Sequence, residues 1–139
     1  MTFPWIRTPE ALSGLARSFE GCRAIGLDTE SDSLYHHFEK VCLIQVATDR
    51  GEAFLVDPLA LRDLAPLASA MADPALVKVL HGADYDVTTL KRDFGFTFAS
   101  LFDTMIAARL LGRAEVGLAA VARDELGVTL SKRSPHQAV

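Results

Sequence analysis

The sequence is poor in several features, and each shortage excludes a class of protein. It has only two cysteines, Cys22 and Cys42, too few and too far apart for a disulfide framework or a zinc site. Both are expected to be reduced, buried and inert, as in a cytosolic protein. It has no basic excess: the formal net charge is −4, which argues against a protein that coats nucleic acid by neutralising phosphates. An enzyme that grips a few nucleotides around bound metal is not excluded by that charge. No apolar run is long enough to span a membrane, and Met1 to Arg7 carry no apolar core followed by a cleavage site. Repeats and low-complexity tracts are absent. The expectation is a cytoplasmic protein with no membrane partner. What remains is ordinary globular material: 139 residues, half of them hydrophobic and 23% charged, enough for one sizeable core.

The most informative stretch is Ala24-Ile25-Gly26-Leu27-Asp28-Thr29-Glu30. It reads as a short buried strand, Ala24 to Leu27, running into two carboxylates. Side chains two apart on a strand share a face, so Asp28 and Glu30 project together. Neighbouring like charges drive each other toward the neutral form unless a cation sits between them, and hard divalent ions prefer oxygen ligands. The plainer reading is a strand that ends in a polar turn capped by Asp28.

Taken in order, the chain opens with a helix. Thr8 suits its cap, Pro9 its first position and Glu10 its dipole; Leu12, Leu15, Ala16 and Phe19 form one apolar face, and Gly21 stops it. After the carboxylate strand, residues 31–39 read as a loop. Lys40 to Ala47 is a nearly continuous apolar strand, Asp49-Arg50-Gly51 a turn, and Glu52 to Val56 a third strand. Short connections make these three an antiparallel meander. A helix follows Asp57-Pro58 with Leu61, Leu64, Leu67, Ala68 and Met71 on one face. Leu76 to Leu80 is a buried strand, a helix begins near Asp84, and Asp103-Thr104 caps the helix Met105 to Leu111. Gly117 to Leu126 is the last helix. Antiparallel strands followed by alternating helix and strand predict an α/β mixed sheet with helices on both faces.

His81-Gly82-Ala83-Asp84-Tyr85-Asp86 stands at the junction of a buried strand and a helix, where α/β sheets place their sites. If that strand runs parallel to the first, Asp86 lies close to Asp28 and Glu30. Three converging carboxylates can hold two metals roughly 3.5–4 Å apart, a clamp for phosphodiester displacement. The structural alternative is that Asp84 caps the helix, Asp86 serves its dipole, and His81 is a satisfied core histidine.

With both segments in view, the chain resembles the ribonuclease D-like 3′→5′ exonucleases of the DEDD superfamily, which have a ribonuclease H-like fold. Asp28-Thr29-Glu30 matches the first family motif, and FEKVCLIQVAT is similar to the strand after it. HGADYDVTTL matches the second motif, with Asp86 at its metal-binding position. Leu101-Phe102-Asp103-Thr104 followed by LLG, then GLAAVARDELGVTL, are similar to later landmarks. The resemblance implies an α/β, ribonuclease H-like fold: a three-stranded antiparallel meander extended by parallel strands. It implies a two-metal 3′→5′ exonuclease acting on the 3′ end of RNA or single-stranded DNA, with Mg2+ or Mn2+ held by Asp28, Glu30 and Asp86 as catalytic carboxylates. Thr29, Leu34, His81 and Tyr85 take positions implied to contact substrate, Leu34 as an apolar wedge against the terminal bases.

The chain departs from the family in two respects. A third motif, a tyrosine followed four residues later by aspartate on a further helix, has no counterpart, since Tyr35 is followed at that spacing by Glu39 and Tyr85 by Thr89. The tail SPHQAV also lacks the tryptophan usual there. Residues 1–139 are therefore expected to form one exonuclease domain, C-terminally incomplete, with weak or no activity alone and with apolar surface open to self-association. The alternative function is a catalytically inactive remnant that binds nucleic acid or a partner.

Overall fold

The structure, a computed structural model, describes residues 3–32 and 39–131. Two compact units divide it, residues 1–103 and 104–139. The first is built on a six-stranded mixed sheet. In chain order it comprises β1 (Trp5–Ile6), α1 (Pro9–Ser18), β2 (Ala24–Asp32), β3 (Lys40–Thr48), β4 (Ala53–Val56), α2 (Ala65–Ala72), β5 (Val77–Leu80), α3 (Ala83–Phe94) and β6 (Leu101–Asp103). The strands lie side by side as β1-β4-β3-β2-β5-β6. β2, β3 and β4 form the expected antiparallel meander, while β5 runs parallel to β2 and β6 parallel to β5. The short edge strands β1 and β6 are additions that the sequence did not suggest. Each is only two or three residues long and carries no alternation to read.

The helices form for legible reasons. α1 starts where the Thr8 hydroxyl accepts from the Ala11 N–H at 3.2 Å, and it buries Leu12 and Leu15. α2 is shorter than its apolar spacing predicts. Leu61 and Leu64 are buried but precede it, because two aspartates divert the backbone into local turns. Asp57 accepts from Leu59 and Ala60 N–H at 3.0 and 3.1 Å, and Asp63 accepts from Ala65 N–H at 2.8 Å. Such side-chain bonds compete with helix. The core gathers Leu12, Leu15, Ile25, Ile44, Val56, Met71 and Leu90 with their neighbours. Cys22 and Cys42 are half-buried rather than buried, and dehydration raises both thiol pKa values, which keeps them poor nucleophiles.

Register positions the site. β2 is longer than expected: Asp28 and Glu30 lie within it, not beyond its end. On one side β2 pairs with β3 from Ile25 to Asp32, but on the other it pairs with β5 only from Ala24 to Gly26. From Leu27 onward β2 therefore outruns β5 and borders a notch at the carboxyl end of β5. Opposite Glu30 the β3 register skips Cys42, since Glu30 faces Leu43 and Ser31 faces Val41. This bulge resets the alternation of β3, so that Val41 and Ile44, three apart, are both buried.

The second unit holds α4 (Thr104–Leu110) and α5 (Leu118–Leu126). Gly112 and Gly127 take positive φ, 75° and 66°, just past these helices. Arg113 pairs with Glu125 and Arg123 with Glu115. Among the described residues no helix is long and apolar enough to cross a membrane.

Candidate active site

β2 presents its carboxylates by simple alternation. Leu27 and Thr29 are buried while Asp28 and Glu30 are exposed. The two acids thus share one face, as the spacing predicts. Glu30 adjoins the bulge, and its carbonyl accepts the Cys42 thiol at 3.5 Å.

Asp86 arrives from a different element. It sits in the first turn of α3 and is only 5% exposed. The Thr29 hydroxyl, itself buried, donates to Asp86 Oδ1. Dehydration raises the Asp86 pKa, and the charge of Asp28 raises it further, while hydrogen bonds from Thr29 oppose the shift. Asp28 meets solvent on one side, yet its surroundings dehydrate it enough to raise its pKa as well. The Thr29 backbone bond and the proximity of His81 work against that rise. Asp28, Asp86 and His81 are therefore electrostatic neighbours in the notch where β2 outruns β5. His81 is half-buried at the end of β5.

The start of α3 is held by a residue that the sequence reading assigned elsewhere. Gly82 has φ 69° and ψ 60°, a left-handed conformation that glycine adopts without a side-chain clash. It offers no side chain to cap the helix. Instead the Asp103 carboxylate accepts from Gly82 N–H at 3.0 Å and Ala83 N–H at 2.7 Å. The pairing of Leu80 with Asp103 in β5 and β6 brings it there. Asp84 lies in the first turn, and α3 has no side-chain cap from its own N-cap residue. The signal available in the sequence was an acid at the end of a strand that could lie beside one ending in His-Gly.

The remaining candidates are dispersed. Thr29 is buried against Asp86, so it touches the acidic site from within. Tyr85 is 48% exposed and donates its hydroxyl to Glu39; that bond is the chief reason its pKa is raised. Arg92 donates to the Glu39 carbonyl and to Asp93, and Asp93 accepts from Val41 N–H at 2.9 Å. These bonds tie the start of β3 to α3. Leu34 lies outside the described residues.

Asp28, Glu30 and Asp86 supply only oxygen, the donor chemistry of a hard divalent ion. Among the described residues neither Asp28 nor Asp86 forms an ion pair with lysine or arginine, so no such cation offsets the charge that Asp28 imposes on Asp86. That is the environment a divalent ion relieves. As the side chains stand, no group of three or more potential ligands is gathered closely enough to hold an ion, again among the described residues.

Comparison with known proteins gives a consistent picture. A family model described as 3′-5′ exonuclease matches residues 3–137. Exosome complex component 10 of Rattus norvegicus is 42% identical over 114 residues, which is 81% of this chain and 13% of that protein. The catalytic core of RRP6 from Trypanosoma brucei aligns with a TM-score of 0.87 and 34% identity, over 95% of this chain and 36% of that one. Escherichia coli RNase D, an exoribonuclease involved in structured RNA processing, aligns with a TM-score of 0.87 and 33% identity, over 95% and 35%. The mixed α/β sheet expected from the sequence is thus the fold of these cores. The chain spans about a third or less of the length of each of these proteins.

Proposed function

The chain belongs to the 3′-5′ exonuclease family, and from that premise we propose that it hydrolyses nucleotides from the 3′ end of RNA or single-stranded DNA in the notch beside β2. One observation carries the reading: the Thr29 hydroxyl, flanked on β2 by Asp28 and Glu30, donates to Asp86 on α3, which brings an acid distant in sequence beside the strand that bears the other two. Asp28, Glu30 and Asp86 are the residues that would hold the divalent ion, magnesium or manganese. When bound, such an ion polarises a water and neutralises charge on the phosphate. The protein's own part is to bind and orient. His81 lines the notch beside Asp28, and the half-exposed ring of Tyr85 offers a stacking face to a terminal base. Relatives named as ribonucleases favour RNA over DNA.

The test is manganese-dependent shortening of a 5′-labelled single strand by this chain and by Asp28→Asn. A ladder receding from the 3′ end that vanishes in the variant supports the proposal. No shortening by the unmodified chain, or shortening that survives the substitution, refutes it. The exposed side chains of Leu110, Leu111 and Leu126, at 84%, 72% and 75%, favour a second reading for residues 104–131, a contact surface for further protein, a second copy of the chain included.

A further inference from the structure

We propose that Thr29 is a positioning residue for the acidic site, its hydroxyl fixing the Asp86 carboxylate for the divalent ion. The inference rests on the metal-site reading above. Thr29 alternates inward on β2 between Asp28 and Glu30 and is 7% exposed. With so little exposure, the Thr29 side chain is placed to act on Asp86. A buried hydroxyl takes a partner, and the partner here is Asp86 Oδ1, across 57 residues of sequence and between two elements. Asp86 is equally buried, so the bond is made away from competing water.

A carboxylate can rotate about its last torsion, and each oxygen can accept more than one bond. A donor fixed on Oδ1 by a strand in mid-sheet stops that rotation and settles the plane of the group. Metal sites depend on such supporting bonds: loss of one that orients a ligand typically weakens metal affinity about 10–100-fold. β2 is well suited to supply it, because the same three-residue stretch bears Asp28 and Glu30. One strand thus fixes two of the carboxylates directly and the third through Thr29. Threonine fits both demands, being β-branched for the strand and hydroxylated for the acid.

The experiment measures manganese affinity by the electron paramagnetic resonance signal of free Mn2+, on the full chain, for Thr29→Val, Thr29→Ser and Asp86→Asn. Valine keeps the shape and removes the hydroxyl; serine keeps the hydroxyl. Thr29→Val should bind about 10–100-fold more weakly, Thr29→Ser within roughly threefold of the unmodified chain, and Asp86→Asn weakest. A merely structural threonine would lower melting temperature in both Thr29 variants without separating their Mn2+ affinities. Should valine not fold, Thr29→Ala removes the same hydroxyl. If Thr29→Val binds as the unmodified chain does while Asp86→Asn loses binding, the Thr29 proposal is overturned and the site reading stands. Equal weakening in the valine and serine variants also overturns it, because the hydroxyl is then not the cause. If Asp86→Asn binds normally, or the unmodified chain binds no Mn2+, the site reading falls and this proposal with it.

Discussion

Replacing Asp103 with alanine should destabilise the first unit by loosening the helix that carries Asp86. The reasoning starts from Gly82, whose left-handed backbone opens α3 but brings no side chain to its free N–H groups. Asp103 accepts two of them, from Gly82 at 3.0 Å and Ala83 at 2.7 Å. Loss of a capping side chain costs about 0.5–2 kcal/mol. Both bonds are made to a charged acceptor, for which about 1.5–3 kcal/mol each is typical, and the carboxylate also faces the positive end of the helix, worth about 0.3–1 kcal/mol. These figures overlap, since they describe one interaction from several sides. The expected loss for Asp103→Ala is about 2–4 kcal/mol, and for Asp103→Asn, which keeps an acceptor without the charge, roughly half of that. Urea unfolding followed by circular dichroism gives the stability, and amide hydrogen exchange gives its location. Exchange should accelerate at Gly82 and Ala83 before it accelerates in the sheet. A loss below about 1 kcal/mol, the typical net contribution of a single neutral hydrogen bond, or unchanged exchange at those two amides would refute the reasoning.

Two further outcomes are expected. Lys78 is fully buried, and its ammonium donates to the Ala70 and Asp73 carbonyls at 3.1 and 2.7 Å. Lys78→Met keeps the stem but orphans both carbonyls, so it should cost about 1–3 kcal/mol. Lys78→Ala adds a cavity and should cost about 2–5 kcal/mol; a methionine variant as stable as the parent in urea would sink this account. Asp86→Asn should act in the opposite sense when metal is chelated. Burial and the Asp28 charge hold the Asp86 pKa above its ordinary value, so the folded state keeps this proton more firmly than the unfolded chain does. The stabilisation is complete below the ordinary carboxylate pKa, about 3.9, and is lost as pH rises through the raised value. Melting temperatures of the two proteins should therefore converge at acid pH and separate toward neutrality, with Asn the more stable. Saturating Mn2+ should reverse their order. A difference that stays constant across pH would count against it.

Much of this architecture was legible because it rests on local rules. The meander followed from three apolar segments joined by short connections, and the start of α1 from Thr8-Pro9. The common face of Asp28 and Glu30 followed from the period of a strand. What escaped the reading was made by pairing between distant segments. The full length of β2 depends on β3, whose bulge at Cys42 is hidden in a continuous apolar run. β1 and β6 exist only as partners for β4 and β5. α2 begins late because Asp57 and Asp63 bond to nearby backbone, which apolar spacing does not register. Asp103 reads as the cap of the helix after it, and only the register of β6 against β5 brings it to Gly82. The Thr29–Asp86 bond is of the same kind: each residue has an ordinary local explanation, and only the folded sheet makes them partners.

Lys78 and Asp86 show why burial of a charge does not by itself mark a functional site. Both are ionisable groups placed where water is scarce, and in both dehydration moves the pKa toward the neutral form. Their surroundings differ in sign. Lys78 meets two carbonyl oxygens at the end of α2, so its charge closes a structural need and its removal leaves acceptors orphaned. Asp86 meets the negative charge of Asp28, with the Thr29 hydrogen bonds giving only partial relief. A fold that needed only stability would place an amide or an apolar group at that position. On the proposed site reading, retaining the acid raises the free energy of the metal-free protein at neutral pH, and a ligand of positive charge would recover it. The two substitutions, Lys78→Met and Asp86→Asn, therefore discriminate between the cases by the sign of the stability change: a buried charge that serves the fold is missed when it is removed, and one kept for a ligand is missed only when the ligand is present.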